Sequence, residues 1–202
     1  MLISMDEVMA MLSMLNVQVT GILHVGAHRC EEASRYQQYG INNVLWIEGN
    51  PALAEDAKQQ GFNVINAVIS DVEEEVIFNV ASNGESSSIL ELNKHKDFYP
   101  DIVYVDKFKA TATRLDRLIH PNHTFNFWNL DIQGVELKAL KSAGILLDKV
   151  DAIYTEVNVL ELYSGCDRLY DMDFYLKEHG FIRLTTSIVG SGWGDALYVK
   201  LK

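Results

Sequence analysis

Apolar runs of strand length alternate with amphipathic stretches of helical period along most of the chain. The first run ends at Val25 just before Gly26, and the next, from Val44 to Ile47, ends against Glu48. The pattern predicts a strand over 21–26, a helix closing near Gly40 and a strand over 43–48. A second helix follows, capped by Asn50, opened by Pro51 and followed by Gly61. A strand over 63–69 comes next. Strands separated by helices at this short spacing predict a parallel sheet wrapped by helices. Segments 74–81 and 102–113 alternate in the β manner and read as later β additions around a loop at 83–100, leading into a short helix at 115–119. The series closes with a strand over 125–131, a helix over 135–143, a strand over 151–157, a helix over 168–179 and strands over 181–188 and 195–201. No helix separates the last two, which predicts an antiparallel C-terminal hairpin.

Ahead of this series, Ser4-Met-Asp-Glu7 reads as a capping box leading into Val8, Met11, Leu12 and Leu15 at helical spacing. This helix is expected to cover one edge of the sheet, in preference to offering its methionines to a partner. With 202 residues, 48% of them hydrophobic, the expectation is one domain over 1–202: an N-terminal helix at 1–18 and a core over 19–202. The net charge of -11 argues against a nucleic-acid binder, which needs a basic stripe to track phosphates. The two cysteines suggest no disulfide framework, and no signal-peptide pattern or long apolar span points to membrane insertion. The default setting is reducing and cytoplasmic, although a domain cut from a longer multidomain protein would read the same way.

In open α/β sheets, ligands sit beyond the carboxyl ends of the strands where strand order reverses. Gly26 permits a tight turn and close ligand approach there, and Glu48 at the second strand tip can accept hydrogen bonds from both ribose hydroxyls of an adenosine. A dinucleotide also needs a second turn glycine and a helix start free of negative charge. Cys30 stands at that glycine position, and Glu31 and Glu32 are expected in the first helical turn. An acidic turn suits S-adenosylmethionine better, since that ligand carries a sulfonium cation and an amino acid in place of phosphates.

The segments His24-Val-Gly-Ala-His-Arg-Cys-Glu-Glu32, Trp46-Ile-Glu-Gly-Asn-Pro51, Asn66-Ala-Val-Ile-Ser-Asp71, Ser86-Ser-Ser88, Leu130-Asp-Ile-Gln-Gly-Val-Glu-Leu-Lys-Ala-Leu140 and Glu156-Val-Asn158 resemble, in order, the successive motifs of FkbM-type methyltransferases. The resemblance implies a class I methyltransferase Rossmann-like fold: a mostly parallel sheet with helices on both faces and an antiparallel C-terminal hairpin. It also implies S-adenosylmethionine-dependent O-methylation of a sugar hydroxyl in a glycan or glycoconjugate; a deoxyhexose such as rhamnose is a guess within that class. The chain departs from the family pattern at His24, where an acidic residue is usual, and at Cys30, where a glycine is usual.

The expected cofactor-binding set is His24, Gly26, Ala27, His28, Glu48, Gly49, Asn50, Ala67, Val68, Ser87 and Asp131. Glu48 holds the ribose, Ala67 and Val68 flank the adenine, and Gly26 with His28 approaches the methionine end. A sugar hydroxyl is a poor nucleophile at neutral pH, so the transfer calls for a base or a metal as well as orientation. Asp131 is the leading candidate base, with Glu156 and His28 as further catalytic candidates. The competing readings are that Asp131 caps the following helix, that Glu156 pairs with a lysine or a backbone amide, and that His28 is hydrogen-bonded within its turn. Gln133 and Asn158 lie two residues beyond Asp131 and Glu156, on the same strand face if the geometry persists. Asp131, Glu156 and Asn158 form an oxygen-rich candidate set for Mg²⁺ or Ca²⁺. His24, His28 and Cys30 match no zinc spacing. The acceptor set is Gln133, Asn158, Tyr163, Trp193 and Asp195. Trp193 lies in a glycine-rich lip joining the last two strands, where it can stack on a sugar or simply plug the hairpin end. An NAD-dependent short dehydrogenase or epimerase, and a non-catalytic adenosine- or glycan-binding module, are the competing functions. The first lacks the glycine pair and a tyrosine-lysine pair at helical spacing; the second would account for His24 and Cys30.

Overall fold

In the computed structural model, which describes residues 1–201, the main sheet is built from β1 (Ile22–Val25), β2 (Val44–Glu48), β3 (Val64–Asn66), β7 (Phe127–Leu130), β8 (Ala152–Asn158), β9 (Phe181–Ile188) and β10 (Trp193–Lys200). Their order is β3-β2-β1-β7-β8-β10-β9, parallel from β3 to β8, with β10 antiparallel to both β8 and β9. The chain builds outward from β1 to β3, then returns to the other side of β1 as β7. That reversal opens a crevice beyond the carboxyl ends of β1 and β7.

Alternation along the strands divides the core. Leu23, Val25, Trp128, Leu130 and Ile153 pack on one face with residues of α6 (Glu136–Ala143) and α7 (Leu169–Glu178). Ile22, Trp46, Phe127, Tyr154 and Leu197 pack on the other with residues of α1 (Met5–Met14), α2 (Ala33–Gln38) and α3 (Pro51–Gln59). Layers on both faces bury β1 and β7 at every position, the polar His24 and Asn129 included. The capping box forms at α1: the Glu7 amide donates to Ser4 Oγ (3.3 Å), and the Ser4 amide donates to Glu7 Oε2 (2.9 Å). Met5, Val8 and Leu12 bury themselves among residues of β1, β7, β8 and β10, so the helix covers a face of the sheet and not its edge.

The expected strand at 63–69 divides at Ala67. The Ala67 amide donates to the Glu48 carbonyl (3.0 Å), and Asn66 Nδ2 donates to the same oxygen (2.8 Å), which ends β3. The chain then leaves the main sheet, and β4 (Val68–Ile69) pairs in parallel with β6 (Tyr104–Thr113). β5 (Glu75–Ala81) lies antiparallel to β6 on its other side, with Phe78 and Phe108 stacked at 5.2 Å. The expected loop at 83–100 contains α4 (His95–Phe98), and α5 (Leu115–Leu118) follows β6. Val68, Ile69 and Phe78 of this second sheet reach the crevice.

α2 is shorter than expected. Glu31 and Glu32 sit in the turn before it, not in its first helical turn, because His28 and Cys30 adopt left-handed conformations (φ 45° and 59°) that delay helix formation. Trp193 belongs to β10, opposite Asn158 of β8, so the expected glycine-rich lip is reduced to the turn before it.

Candidate active site

A cavity of about 460 Å³ opens at the strand reversal. Its floor is the turn after β1. Gly26 (φ 93°) is held there because a Cβ would lie 1.8 Å from the Asp131 carbonyl oxygen, so no other residue lets the two strand ends approach this closely. The next turn is pinned by Glu48. Its Oε2 accepts from the His28 amide and its Oε1 from the Asn50 amide, both at 2.7 Å. Burial pushes the Glu48 carboxyl upward, opposed by these two backbone bonds. Each oxygen still has a second lone pair, and the residue lines the cavity.

Beyond β7 the chain makes a left-handed turn through Gln133 (φ 57°) and Gly134 (φ 98°). Gln133 Nε2 donates to Asp131 Oδ1 (2.6 Å) and to Glu156 Oε2 (2.7 Å), bridging the two carboxyls from neighbouring strands. Asp131 is open to cavity space yet ringed by protein, and its removal from bulk water raises it above the usual aspartate range. Glu156 is raised well above the usual value, first by burial and then by the charge of Asp131 beside it. Both carboxyls are thus shifted toward their protonated forms, Glu156 the more strongly, and the Gln133 amide steadies the charge on Asp131. Tyr163 donates its hydroxyl to Gln133 Oε1, which fixes the bridge from the far side.

The helix-cap role considered for Asp131 belongs to Glu136. Val135, at the cap position of α6, makes no side-chain cap bond. Glu136 Oε1 accepts from the amides of Ile132 (2.8 Å) and Gly134 (3.2 Å). Only 3% exposed, its carboxyl is pushed up to about 7 by burial. The sequence signal for this residue was its position in the first turn of an expected helix, where an acid reaches back to free amides.

A family model described as the methyltransferase FkbM domain matches residues 24–183. The chain belongs to the FkbM methyltransferase family. No curated protein matches the sequence. Among solved structures, a S-adenosylmethionine-dependent methyltransferase from Clostridium acetobutylicum aligns with TM-score 0.54 at 7% identity, covering 98% of this chain and 90% of that one. A putative tRNA (m1A22) methyltransferase from Streptococcus pneumoniae, in complex with S-adenosyl-L-methionine, gives 0.54 at 12% identity over 98% and 75%. A magnesium protoporphyrin IX methyltransferase from Synechocystis with bound SAM gives 0.52 at 12% identity over 97% and 77%. At these identities the likeness is one of fold.

In this FkbM methyltransferase, Gly26, Ala27, His28, Glu48, Gly49, Ala67, Val68, Ser87, Asp131, Gln133, Glu156 and Tyr163 of the expected set share the cavity wall. His24 reaches it too, but as a core residue. Its Nδ1 bonds Tyr36 Oη (3.0 Å), its ring stacks on Trp46, and burial lowers it to about 3, so it remains neutral. His28 bonds Glu31 Oε1 through Nδ1 at 2.7 Å. Ser87 Oγ is engaged in its own loop, donating to the Gly84 carbonyl at 2.6 Å.

Three expected residues are placed differently. Asn50 turns away to cap α3, accepting from the Ala52 amide at 3.0 Å, and does not line the cavity. Asn158 is 2% exposed and also lies off the wall, its Nδ2 3.5 Å from Glu156 Oε1. Asp195 lines the cavity from β10, but its Oδ2 already accepts from the Tyr154 hydroxyl and the Leu2 amide.

The residues do not fit a divalent metal. The Gln133 amide presents donor hydrogens between the Asp131 and Glu156 carboxyls, Asn158 lies outside the cavity, and no cluster of three or more His, Cys, Asp or Glu among the described residues is arranged to hold an ion. Cys30 is no ligand either: burial and the surrounding glutamates push its thiol up to about 12. Phe78, His95 and Tyr99 also form part of the wall, and none was expected there. They arrive from the second sheet and from the segment at 83–100, whose folding back over the crevice leaves no periodicity in the sequence.

Proposed function

We infer that the protein transfers a methyl group from S-adenosylmethionine to a sugar hydroxyl of a glycan or glycoconjugate. The observation that carries this reading is the charge of the cavity. Glu32, Glu48, Asp131, Glu156 and Asp195 line it, and no lysine or arginine does. A wall of that kind repels a pyrophosphate and welcomes a ligand bearing an ammonium and a sulfonium. It counts against the nicotinamide dinucleotide alternative and against acceptors whose reacting end carries phosphate. Glu48, with a free lone pair on each oxygen, suits a ribose diol, and Gly26 suits close approach of the methionine end.

S-adenosylmethionine, when bound, supplies an electrophilic methyl group with a thioether as leaving group. The chain's own residues orient the acceptor and receive its proton. Asp131 takes the hydroxyl proton as the oxygen attacks the methyl carbon and the carbon–sulfur bond breaks. Gln133 holds Asp131 in place, and Glu156, shifted by burial toward its protonated form, limits the local charge. A binding module would have no use for a carboxyl pair bridged by an amide and tuned in this way, which favours the enzyme over the non-catalytic alternative.

The test is calorimetric and then chemical. S-adenosylhomocysteine should bind the purified protein and NAD should not; tighter binding of NAD overturns the cofactor assignment. Incubation with S-adenosylmethionine and rhamnose-containing oligosaccharides should yield products one methylene heavier by mass spectrometry. Asp131→Asn should cut that turnover at least about a hundredfold, the scale of losing a general base, with S-adenosylhomocysteine affinity retained. Unchanged turnover in Asp131→Asn removes it as the base.

A further inference from the structure

Two buried side-chain atoms lack a hydrogen-bond partner among the described residues, His95 Nδ1 and Asn158 Oδ1, and only His95 is on the cavity wall. An unpaired buried polar atom costs roughly 1–3 kcal/mol, so its persistence calls for an explanation. His95 is 5% exposed and opens α4, where its own amide donates to the Leu162 carbonyl (3.2 Å) and fixes the residue against the chain that follows β8. Its ring lies 5.0 Å from that of Tyr99 and 5.5 Å from that of Tyr163, tilted 43° and 45°. Trp193 extends the wall and is tied to it, its Nε1 donating to the Tyr99 hydroxyl at 2.9 Å. Tyr163 leads through Gln133 to the Asp131–Glu156 pair. One wall therefore carries aromatic side chains, a histidine whose enclosed Nδ1 is unsatisfied, and a short path to the base.

We propose that His95 is the acceptor-binding residue of this site, a turn of its ring presenting the enclosed Nδ1 to a hydroxyl of an uncharged sugar ring that packs against Tyr99 and Trp193. The proposal deepens the methyltransferase reading and rests on it. Burial lowers the imidazole below its usual value, so it is neutral near pH 7. A neutral Nδ1 either donates or accepts according to tautomer, and a hydroxyl, which does both, satisfies either form. A carboxylate or phosphate would want the protonated ring and a cationic wall, and the lining has no lysine or arginine. Uncharged hexoses and deoxyhexoses are thus separated from uronic acids and sugar phosphates at this wall. Aromatic faces suit the apolar face of such a ring.

The experiment uses the wild-type protein saturated with S-adenosylhomocysteine and carrying ¹³C-labelled histidine side chains. The His95 resonance is assigned by its loss in His95→Gln. Titration with methyl α-L-rhamnopyranoside and methyl α-D-glucopyranoside should move the His95 signal and change Trp193 fluorescence, whereas the methyl glycoside of glucuronic acid should do neither. His95→Phe, which keeps a ring and removes the polar atom, should weaken the neutral glycoside by about tenfold, the value of one hydrogen bond, and leave S-adenosylhomocysteine affinity within about twofold. Normal S-adenosylhomocysteine binding with a His95 signal indifferent to both neutral glycosides overturns the proposal, as does a preference for the uronic acid. Failure of the wild type to bind S-adenosylhomocysteine overturns instead the cofactor reading beneath it. If His95→Phe does not fold, the wild-type titration decides alone.

Discussion

Glu48 does two jobs with one carboxylate. It ties the amides of His28 and Asn50 across the mouth of the crevice and keeps a lone pair on each oxygen for a ligand. Glu48→Ala should weaken S-adenosylhomocysteine by about 1–3 kcal/mol in calorimetry, accompanied by some loss of stability because two amides lose their acceptor. An unchanged dissociation constant in the folded variant would remove Glu48 from the site. Gly26 is a stricter case, since an added Cβ meets the Asp131 carbonyl oxygen and φ is 93°. Gly26→Ala should lower unfolding free energy by roughly 3 kcal/mol or more, measured by urea denaturation; a loss below about 1 kcal/mol would show that β1 and β7 separate easily there. Both residues were legible in the sequence, because strand tips and turn glycines declare themselves by position. His95 was not, because its environment is made by Tyr99, Tyr163 and Trp193, which the fold brings together from distant segments. Asp131 was legible as an acid at a strand tip, but the Gln133 bridge to Glu156 depends on a left-handed turn that residue type alone did not foretell.

The turn joining β7 to α6 shows how an element can set its own acid response. Glu136 is raised from the usual 4.5 to about 7 by burial, so folding favours its protonated form. That contribution to stability is fully present below pH 4.5 and is lost as pH rises through 7, amounting to a change on the order of 3 kcal/mol. Glu136→Gln keeps Oε1, the atom that accepts from both Ile132 and Gly134, and removes the titration at the cost of the second Gly134 bond to Oε2 (3.1 Å). The wild type should therefore lose stability relative to Glu136→Gln as pH is raised across this window, as followed by urea denaturation at a series of pH values. Parallel profiles would assign the titration to another group. Element boundaries were largely readable from period and caps, as at Ser4 and Asn50. The division of 63–69 into β3 and β4 was not, because it is decided by bonds from Asn66 and Ala67 to the Glu48 carbonyl, a competition between two sheets that a continuous apolar run conceals.

Across the whole molecule, the strand order β3-β2-β1-β7-β8-β10-β9 gathers its acids at one end of the main sheet. The overall charge of -11 gave no hint of that concentration, because a sum over the chain carries no direction. Glu32, Glu48, Asp131 and Glu156 are all raised by loss of solvation, so the empty crevice holds the protons of these groups to a higher pH than water would. A cation entering the crevice favours their charged forms and should expel some of that store. The heat of binding would then depend on the buffer that absorbs the protons. S-adenosylmethionine, with one more positive charge than S-adenosylhomocysteine, should show the steeper dependence when titrated in buffers of differing ionisation enthalpy. Equal slopes for the two ligands would mean that the sulfonium sits away from the carboxylates, and that the acid-lined end of the sheet reads only the amino group both ligands share.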